Sequence, residues 1–118
     1  MSKTILRSLV FFIFCLTSTL SIAAEEGIAS YYSDVFQGKK TASGSVYDRN
    51  KLTAAHKKLP FGTKVKITDL KNNKSVIVTI TDRGPYSKKR MVDLSYAAAK
   101  EIDLIKAGIS KVKLEIIE

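Results

Sequence analysis

The chain has 118 residues, with 20 lysines and arginines against 11 aspartates and glutamates, so its formal net charge at pH 7 is +9. We expect one compact domain at this length and no second one. A single histidine and a single cysteine exclude a His/Cys metal centre and a disulfide scaffold, and we expect neither a metal nor a cofactor.

The first 24 residues are ordered like a Sec signal peptide. Lys3 and Arg7 precede an uncharged, mostly apolar run over residues 8–20, and small residues follow it. The run is shorter than the roughly 18 residues that span a bilayer, so we expect cleavage rather than a retained membrane helix. Cleavage after Ala23 and cleavage after Ala24 both fit the pattern. We therefore expect export, to the periplasm or out of the cell.

The only cysteine, Cys15, lies inside the apolar run and follows Phe14, whereas a lipid-modified cysteine needs a small residue before it. We therefore expect no stable membrane anchor. The mature domain over residues 25–118 then has no cysteine and must be stable without disulfides. It keeps 18 of the 20 basic residues and all 11 acidic ones, a net charge of +7. This charge indicates an anionic partner at the cell surface, or it serves solubility alone.

The mature region begins with a predicted strand over residues 27–32. A segment over residues 33–51, rich in glycine, serine and charge, predicts a long surface loop that bends at Gly38 and Gly44. Loops of this length often carry function.

Two later segments, 64–68 and 75–81, alternate apolar and polar residues around a turn at 71–74, which predicts a β-hairpin. Alternation of Val112, Leu114 and Ile116 with charged residues predicts a final strand. Between them, Ser95 can cap a helix over residues 96–102. Many short strands with one short helix favour a closed β-barrel over a sandwich, because closure removes exposed strand edges.

Five segments, in this order, resemble the RlpA (rare lipoprotein A) family over residues 27–117. They are ASYY at 29–32, TASG at 41–44, LTAAH through LPFGT at 52–63, TDRGPY at 81–86 and VDLSYAAA at 92–99. The resemblance implies a mainly β fold, a six-stranded double-psi β-barrel with one or two short helices. Expansins, barwin-like proteins and the lytic transglycosylase MltA share that fold.

The resemblance also implies an activity. RlpA proteins are endolytic transglycosylases that cut the β-1,4 bond between MurNAc and GlcNAc, prefer strands stripped of stem peptides, and leave 1,6-anhydro-MurNAc ends. The implied partner is therefore the peptidoglycan glycan strand. We expect a monomer that binds no nucleic acid, since a nucleic-acid partner would rest on charge alone.

Asp82 is the candidate general acid and base, because glycosidic cleavage needs a carboxyl group beside the leaving oxygen. It follows β-branched residues and precedes a Gly-Pro bend. The alternative is a turn former that caps Gly84 and Pro85 or pairs with Arg83. We predict that Arg83 points away from Asp82, toward backbone carbonyls or substrate.

His56 matches the family's second functional position and would orient Asp82 or bind a sugar hydroxyl; the alternative is a hydrogen-bonded strut under the barrel rim. At Ser45 the chain departs from the family, which usually has glutamate there. Three routes can replace that carboxylate. Asp48 can take its place, another acidic residue (Glu25, Glu26 or Asp34) can approach, or one acid can suffice, because the substrate's own 6-hydroxyl is the nucleophile.

We expect Tyr31 and Tyr86 to line the substrate groove, since aromatic rings suit sugar faces. Arg83 and Arg90 are further candidates for substrate binding. Basic residues cluster around the candidate loops and can attract the lactyl carboxylates of MurNAc, or they are simply solvated: Lys39, Lys40, Lys57, Lys58, Lys88, Lys89 and Arg90. The missing glutamate keeps a second function open, that of a non-catalytic, expansin-like wall-binding module.

Overall fold

A computed structural model describes residues 24–117 of the chain. The predicted signal peptide and Cys15 fall on residues 1–23, outside the described residues, except that Ala24 begins the first strand. In the described range, no helix has the length and apolar character needed to cross a membrane.

Between residues 24 and 117 the chain forms six strands, one short α-helix and one 3₁₀ turn. The strands are β1 (Ala24–Tyr31), β2 (Thr53–His56), β3 (Lys64–Asp69), β4 (Ser75–Asp82), β5 (Val92–Leu94) and β6 (Ser110–Ile116), the helix α1 is Tyr96–Glu101, and the turn is Asp34–Phe36. The strands are hydrogen-bonded in the order β1-β5-β2-β4-β3-β6, and β6 pairs with β1 to close the barrel. The predicted mainly β, six-stranded double-psi barrel is confirmed.

The apolar alternation read from the sequence points into this barrel. Val76, Val78 and Ile80 of β4 are buried, as are Val112 and Leu114 of β6. They belong to one core to which all six strands contribute buried residues. Closure of the sheet around a single apolar interior explains why the domain needs no disulfide.

Helix α1 forms as the sequence predicts. The Ser95 side chain caps it by accepting a hydrogen bond from the backbone N of Ala98. Ala98 and Ala99 are buried, and their small side chains let the helix pack closely against β4.

The structure corrects the ends of two predicted strands. The first strand begins at Ala24 rather than Gly27, because Ala24 already pairs with Glu115 of β6. Ile116 is 39% exposed rather than part of the core, because it lies where β6 ends. The short strands β2 and β5 had no periodic signal of their own, since three or four residues are too few to show one.

Candidate functional site

A row of paired residues crosses four neighbouring strands on the outer face of the barrel. Asp82 of β4 pairs with Ala55 of β2, Ala55 pairs with Asp93 of β5, and Asp93 pairs with Ser30 of β1. Paired residues present their side chains on the same face. Since adjacent strands lie about 4.8 Å apart, the Cα atoms of the two aspartates are about 10 Å apart across Ala55.

A β-bulge sets the position of Asp82. Ile80 lies opposite Ala54 but Asp82 lies opposite Ala55, so Thr81 is an extra residue in β4. Bulges of this kind redirect side chains beside functional sites. The carbonyl of Thr81 accepts a hydrogen bond from the backbone N of Ser43 (3.2 Å), which attaches the long loop to β4 beside Asp82.

The Asp82 carboxylate receives three hydrogen bonds. Its Oδ1 accepts from the backbone N of Ala42 (2.8 Å) and of Arg83 (2.9 Å), and its Oδ2 accepts from the Tyr32 hydroxyl (2.5 Å). A carboxylate offers about four acceptor positions, two on each oxygen. Oδ1 is therefore fully used, and Oδ2 of the partly exposed Asp82 side chain retains one position.

Tyr32 is itself held rigidly. Its ring stacks on Tyr47 with centroids 4.5 Å apart and 11° between the planes, and it meets the edge of Phe36 at 5.8 Å. Tyr47 is buried, and its hydroxyl accepts a hydrogen bond from the backbone N of Tyr96 at the start of α1 (3.2 Å). Burial, and then the hydrogen bond to Asp82, raise the pKa of Tyr32 far above its usual value, so the phenol stays a donor.

The raised pKa of Tyr32 links this contact to stability. An unfolded tyrosine ionises near pH 10.0, whereas Tyr32 keeps its proton in the folded protein. The contribution of the protonated Tyr32 hydroxyl to the free energy of unfolding is therefore complete below about pH 10 and is lost as the pH rises above it. In denaturant titrations between about pH 9 and pH 11.5, we expect the free energy of unfolding to fall less steeply with pH in Tyr32→Phe than in the wild type. Tyr86→Phe is the control and should fall as steeply as the wild type; an equally steep fall in Tyr32→Phe would contradict the contact.

Arg83 points away from the Asp82 carboxylate, as predicted, and toward backbone carbonyls. Its Nη1 donates to the carbonyl of His56 (2.8 Å) and its Nη2 to that of Leu59 (2.7 Å). The guanidinium also lies over the Phe61 ring, 4.2 Å from its centroid. These contacts hold the end of β2 and the segment after it against the end of β4. The Arg83 guanidinium therefore has a structural role.

The His56 ring is a strut. It is only 5% exposed, its Nδ1 accepts hydrogen bonds from the backbone N of Lys58 and Leu59 (3.1 Å each), and its Nε2 lies 2.8 Å from Oε1 of Glu25. Because Nδ1 accepts, Nε2 carries the proton and donates it to Glu25. Both nitrogens are thus used away from Asp82, which corrects the prediction that the ring orients that carboxyl group. The backbone carbonyl of His56 still connects this residue to Asp82 indirectly, because it accepts a hydrogen bond from Arg83, the residue after Asp82.

Ser45 stands in a triangle of hydroxyl groups beside Asp82. The side-chain oxygens of Thr41, Ser43 and Ser45 lie 2.9–3.0 Å from one another. The triangle sits in the turn whose Ala42 backbone N binds Asp82. Neutral hydroxyl groups thus occupy the place where the resemblance implies a carboxylate.

Three of the four candidate substitute carboxylates are engaged elsewhere, and the fourth, Glu26, lies in β1 opposite Lys113 of β6. Asp48 Oδ1 accepts from the backbone N of Asn50 (2.9 Å), and Asp34 pairs with Arg49 (2.9 Å). Glu25 binds His56, as described above. Among residues 24–117, no three histidine, cysteine, aspartate or glutamate residues lie together so as to hold a metal ion.

The predicted groove tyrosines differ in placement. Tyr86 is 89% exposed and lines a cavity of about 530 Å³ with Lys57, Arg83, Gly84 and Pro85. Tyr31 instead donates its hydroxyl to the carbonyl of Ile105 (3.0 Å) and packs against the core, which corrects its predicted groove position.

Sequence reasoning selected Tyr31 and overlooked Tyr32. Side chains alternate along a strand, so Tyr31 shares the inward face of the buried Ala29, whereas Tyr32 follows the outward face of Ser30. That alternation was the signal that could have identified Tyr32.

Arg90 lies beside Asp93, the third member of the row of paired residues. Its Nε contacts Asp93 Oδ1 at 3.1 Å, and that oxygen also accepts from the Ser30 hydroxyl. Arg90 is therefore an ion-pair partner of Asp93 and also lines a second cavity, at the barrel end.

The chain is similar to several named proteins. The family described as "Lytic transglycolase" matches residues 24–114. The "Endolytic peptidoglycan transglycosylase RlpA" of Haemophilus influenzae is 56% identical over 93 residues, which cover 79% of this chain and 32% of that protein. The protein of the same name from Campylobacter jejuni is 51% identical over 92 residues, which cover 78% of this chain and 34% of that protein. The chain thus spans about a third of the length of these relatives.

Solved structures share the fold at lower identity. The Streptomyces papain inhibitor superposes with a TM-score of 0.66 at 20% identity, over 80% of this chain and 94% of that one. An apo expansin from Clavibacter michiganensis gives 0.64 at 20% identity, over 80% of this chain and 50% of that one. The family match covers the whole barrel from β1 into β6, including Asp82 and its three donors. The chain therefore belongs to the lytic transglycolase family.

Proposed function

We propose that this protein is an exported, endolytic peptidoglycan lytic transglycosylase that acts as a monomer in the periplasm or outside the cell. Its signal peptide would be residues 1–24 and its catalytic domain residues 25–118. The observation that carries the proposal is the Asp82 carboxyl group, fixed by three donors with one free position on Oδ2. The names of the relatives at about half identity support the same reaction.

Asp82 would act first as an acid and then as a base. Protonated Oδ2 gives its proton to the glycosidic oxygen as the bond to C1 of MurNAc breaks. Oδ2, now without its proton, then takes the proton of the MurNAc 6-hydroxyl as the oxygen of that hydroxyl bonds to C1. The products are a free 4-hydroxyl and a 1,6-anhydro ring, and Asp82 returns to its protonated form. No residue has to activate water, so one carboxyl group suffices.

The surroundings of Asp82 hold its carboxyl group in a fixed orientation. Two backbone N–H groups fix Oδ1, so the carboxyl group cannot rotate away from the groove. Tyr32 holds Oδ2 from one side and leaves its other side for the substrate. The exposed Tyr86 ring, two residues past the Gly84 bend, offers a flat apolar face on which a sugar ring can stack.

Gly84 makes that placement of Tyr86 possible. Its φ of +120° is a conformation that side-chain-bearing residues rarely adopt. The chain can therefore turn sharply after Asp82 and Arg83.

The hydroxyl triangle around Ser45 favours a second function. A serine supplies neither a proton of useful acidity nor a charge that stabilises an oxocarbenium ion. In that alternative, the groove binds glycan strands and the domain loosens or marks the wall without cleaving it.

Product analysis separates the two functions. Purified protein is incubated with denuded glycan strands, and the products are examined by mass spectrometry. We expect new chain ends in the form of 1,6-anhydro-MurNAc. If the protein binds the strands but forms no such ends, the proposed enzymatic activity is wrong and the function is that of a wall-binding module.

A further inference from the structure

The 3₁₀ turn Asp34–Phe36 exposes both of its apolar side chains. Val35 is 67% exposed and Phe36 is 45% exposed, and no residue of the turn is buried. Packing of the barrel core therefore does not explain the phenylalanine. Adjacent exposed apolar side chains often mark a binding surface.

The turn that carries Phe36 is held rigidly. The Ser33 hydroxyl oxygen accepts a hydrogen bond from the backbone N of Val35 (3.3 Å). Arg49 binds both sides of the turn, because its Nε pairs with Asp34 (2.9 Å) and its backbone N donates to Oε1 of Gln37 (2.8 Å). The position of the Phe36 ring is thus set before any ligand arrives, and such preorganised surfaces lose less entropy on binding.

A single tyrosine side chain separates the Phe36 ring from Asp82. The rings of Phe36 and Tyr32 meet in a T-shaped contact, with centroids 5.8 Å apart and 84° between the planes. The hydroxyl of the same tyrosine donates to Oδ2 of Asp82. A T-shaped contact with Tyr32 covers at most one face of the Phe36 ring. A disaccharide of a bound strand can span the distance from this ring to the carboxyl group.

Asp82 lies where two loops meet, and each loop carries one exposed aromatic ring. Its Oδ1 accepts a hydrogen bond from Ala42 in the loop over residues 33–51 and from Arg83, the first residue of the loop between β4 and β5. Phe36 is the exposed ring of the first loop, and Tyr86 is that of the second. The two rings therefore flank the carboxyl group from different loops.

The first loop also offers polar partners. The hydroxyl groups of Thr41, Ser43 and Ser45 lie on either side of Ala42 in the sequence, and Ser43 and Ser45 are exposed. A sugar has an apolar face formed by its C–H groups and a rim of hydroxyl groups, so it needs a flat apolar surface and hydrogen-bonding groups together. This loop presents both beside Asp82.

We infer that Phe36 is a second sugar-stacking platform, which binds the apolar face of an N-acetylhexosamine residue of the glycan strand. That residue would lie on the side of Asp82 formed by the loop over residues 33–51, whereas another residue of the strand stacks on Tyr86. The identity of the sugar rests on the proposed function. The stacking itself rests on the exposed, rigidly held ring.

Chitotetraose, a β-1,4-linked oligomer of N-acetylglucosamine, is the probe. It contains no MurNAc residue, so binding is measured without the proposed reaction. In nuclear Overhauser spectra of the wild type, we expect contacts between the ring protons of Phe36 and the sugar protons on carbons 1, 3 and 5, which form the apolar face. Absence of these contacts would overturn the platform.

Three variants test the role of the ring. Phe36→Leu keeps an apolar side chain without a flat face and should bind chitotetraose about tenfold more weakly. Phe36→Tyr keeps the flat face and should bind within about twofold of the wild type. Phe61→Leu is the matched control, because Phe61 is 43% exposed but its ring is already covered by the Arg83 guanidinium. Unchanged binding in Phe36→Leu, or equal losses in Phe36→Leu and Phe36→Tyr, would contradict the inference.

A purely structural role of Phe36, as a support for Tyr32, is tested separately. In Phe36→Leu, the free energy of unfolding should fall between about pH 9 and pH 11.5 as steeply as in the wild type, because Tyr32 keeps its contact with Asp82. A shallower fall would mean that the ring acts through Tyr32, and the platform would be wrong.

The platform and the enzymatic activity can fail independently. Contacts between Phe36 and the sugar, without 1,6-anhydro products from glycan strands, would support the platform and contradict the activity. Formation of 1,6-anhydro products by a protein whose Phe36 makes no contact with the sugar would contradict the platform and support the activity.

Discussion

Asp82→Asn should lower the rate at which 1,6-anhydro ends form by roughly 10²–10⁴-fold, the usual contribution of a general acid or base. The amide can neither give up a proton to the glycosidic oxygen nor take one from the 6-hydroxyl. The fold should survive, because the amide oxygen can accept the same two backbone hydrogen bonds, from Ala42 and Arg83. Initial rates on denuded strands give kcat and KM, and we expect the loss in kcat.

The control for this variant is Asp48→Asn. Asp48 is the possible substitute carboxylate nearest in sequence to Ser45, and its Oδ1 accepts a hydrogen bond from the backbone N of Asn50. Its change should leave kcat within about threefold of the wild type. A large loss of kcat in Asp48→Asn together with a small loss in Asp82→Asn would mean that the catalytic acid lies in the long loop. That result would contradict the proposed mechanism.

Ser45→Glu should raise kcat by about tenfold, because it restores a negative charge beside the developing oxocarbenium ion. Ser45 lies in the same turn as Ala42, whose backbone N binds Asp82, so a longer acidic side chain can reach the groove. Two carboxyl groups held close together also favour the state in which they share one proton, which is the form that donates to the leaving oxygen. The assay is again the initial rate of 1,6-anhydro product formation.

Ser45→Gln is the matched control, since it has the size of glutamate without the charge. It also disrupts the triangle with Thr41 and Ser43. An equal gain in Ser45→Gln would mean that loss of the hydroxyl triangle, rather than gain of charge, had changed the rate. A glutamate variant no faster than the wild type would contradict the expectation that a second carboxylate stabilises the transition state.

The long loop over residues 33–51 has features that the sequence predicted and contacts that only the structure shows. Gly38 and Gly44 take positive φ values of 83° and 94°, so both predicted bends are confirmed. The loop's position beside Asp82 depends on two contacts that no local pattern contains, between Ala42 and Asp82 and between Ser43 and Thr81.

His56 and Arg83 show the same division. The sequence selected both as functional, from their residue type and from the family resemblance. In the structure, the His56 ring hydrogen-bonds to backbone N–H groups and to Glu25, and the Arg83 side chain donates to backbone carbonyls. A polar side chain in a small barrel must satisfy its hydrogen bonds where it is buried, and only the packed chain shows which partners are in reach.

The sequence by itself determined the faces of the longer strands, the capped helix, the bends of the loop and Asp82 as the candidate acid. The strand faces, the helix and the bends depend on periodicity, capping and glycine conformation, which act within a few residues, whereas Asp82 was selected through the family resemblance. The tertiary structure alone decided that the Tyr32 hydroxyl reaches Asp82, and that Lys57 and Lys88 share a cavity. The Tyr32 hydroxyl and the Ala42 backbone N reach Asp82 from 50 and 40 residues away. Strand register and a single bulge at Thr81 bring them together, and a shift of one residue there would turn Asp82 to the other face.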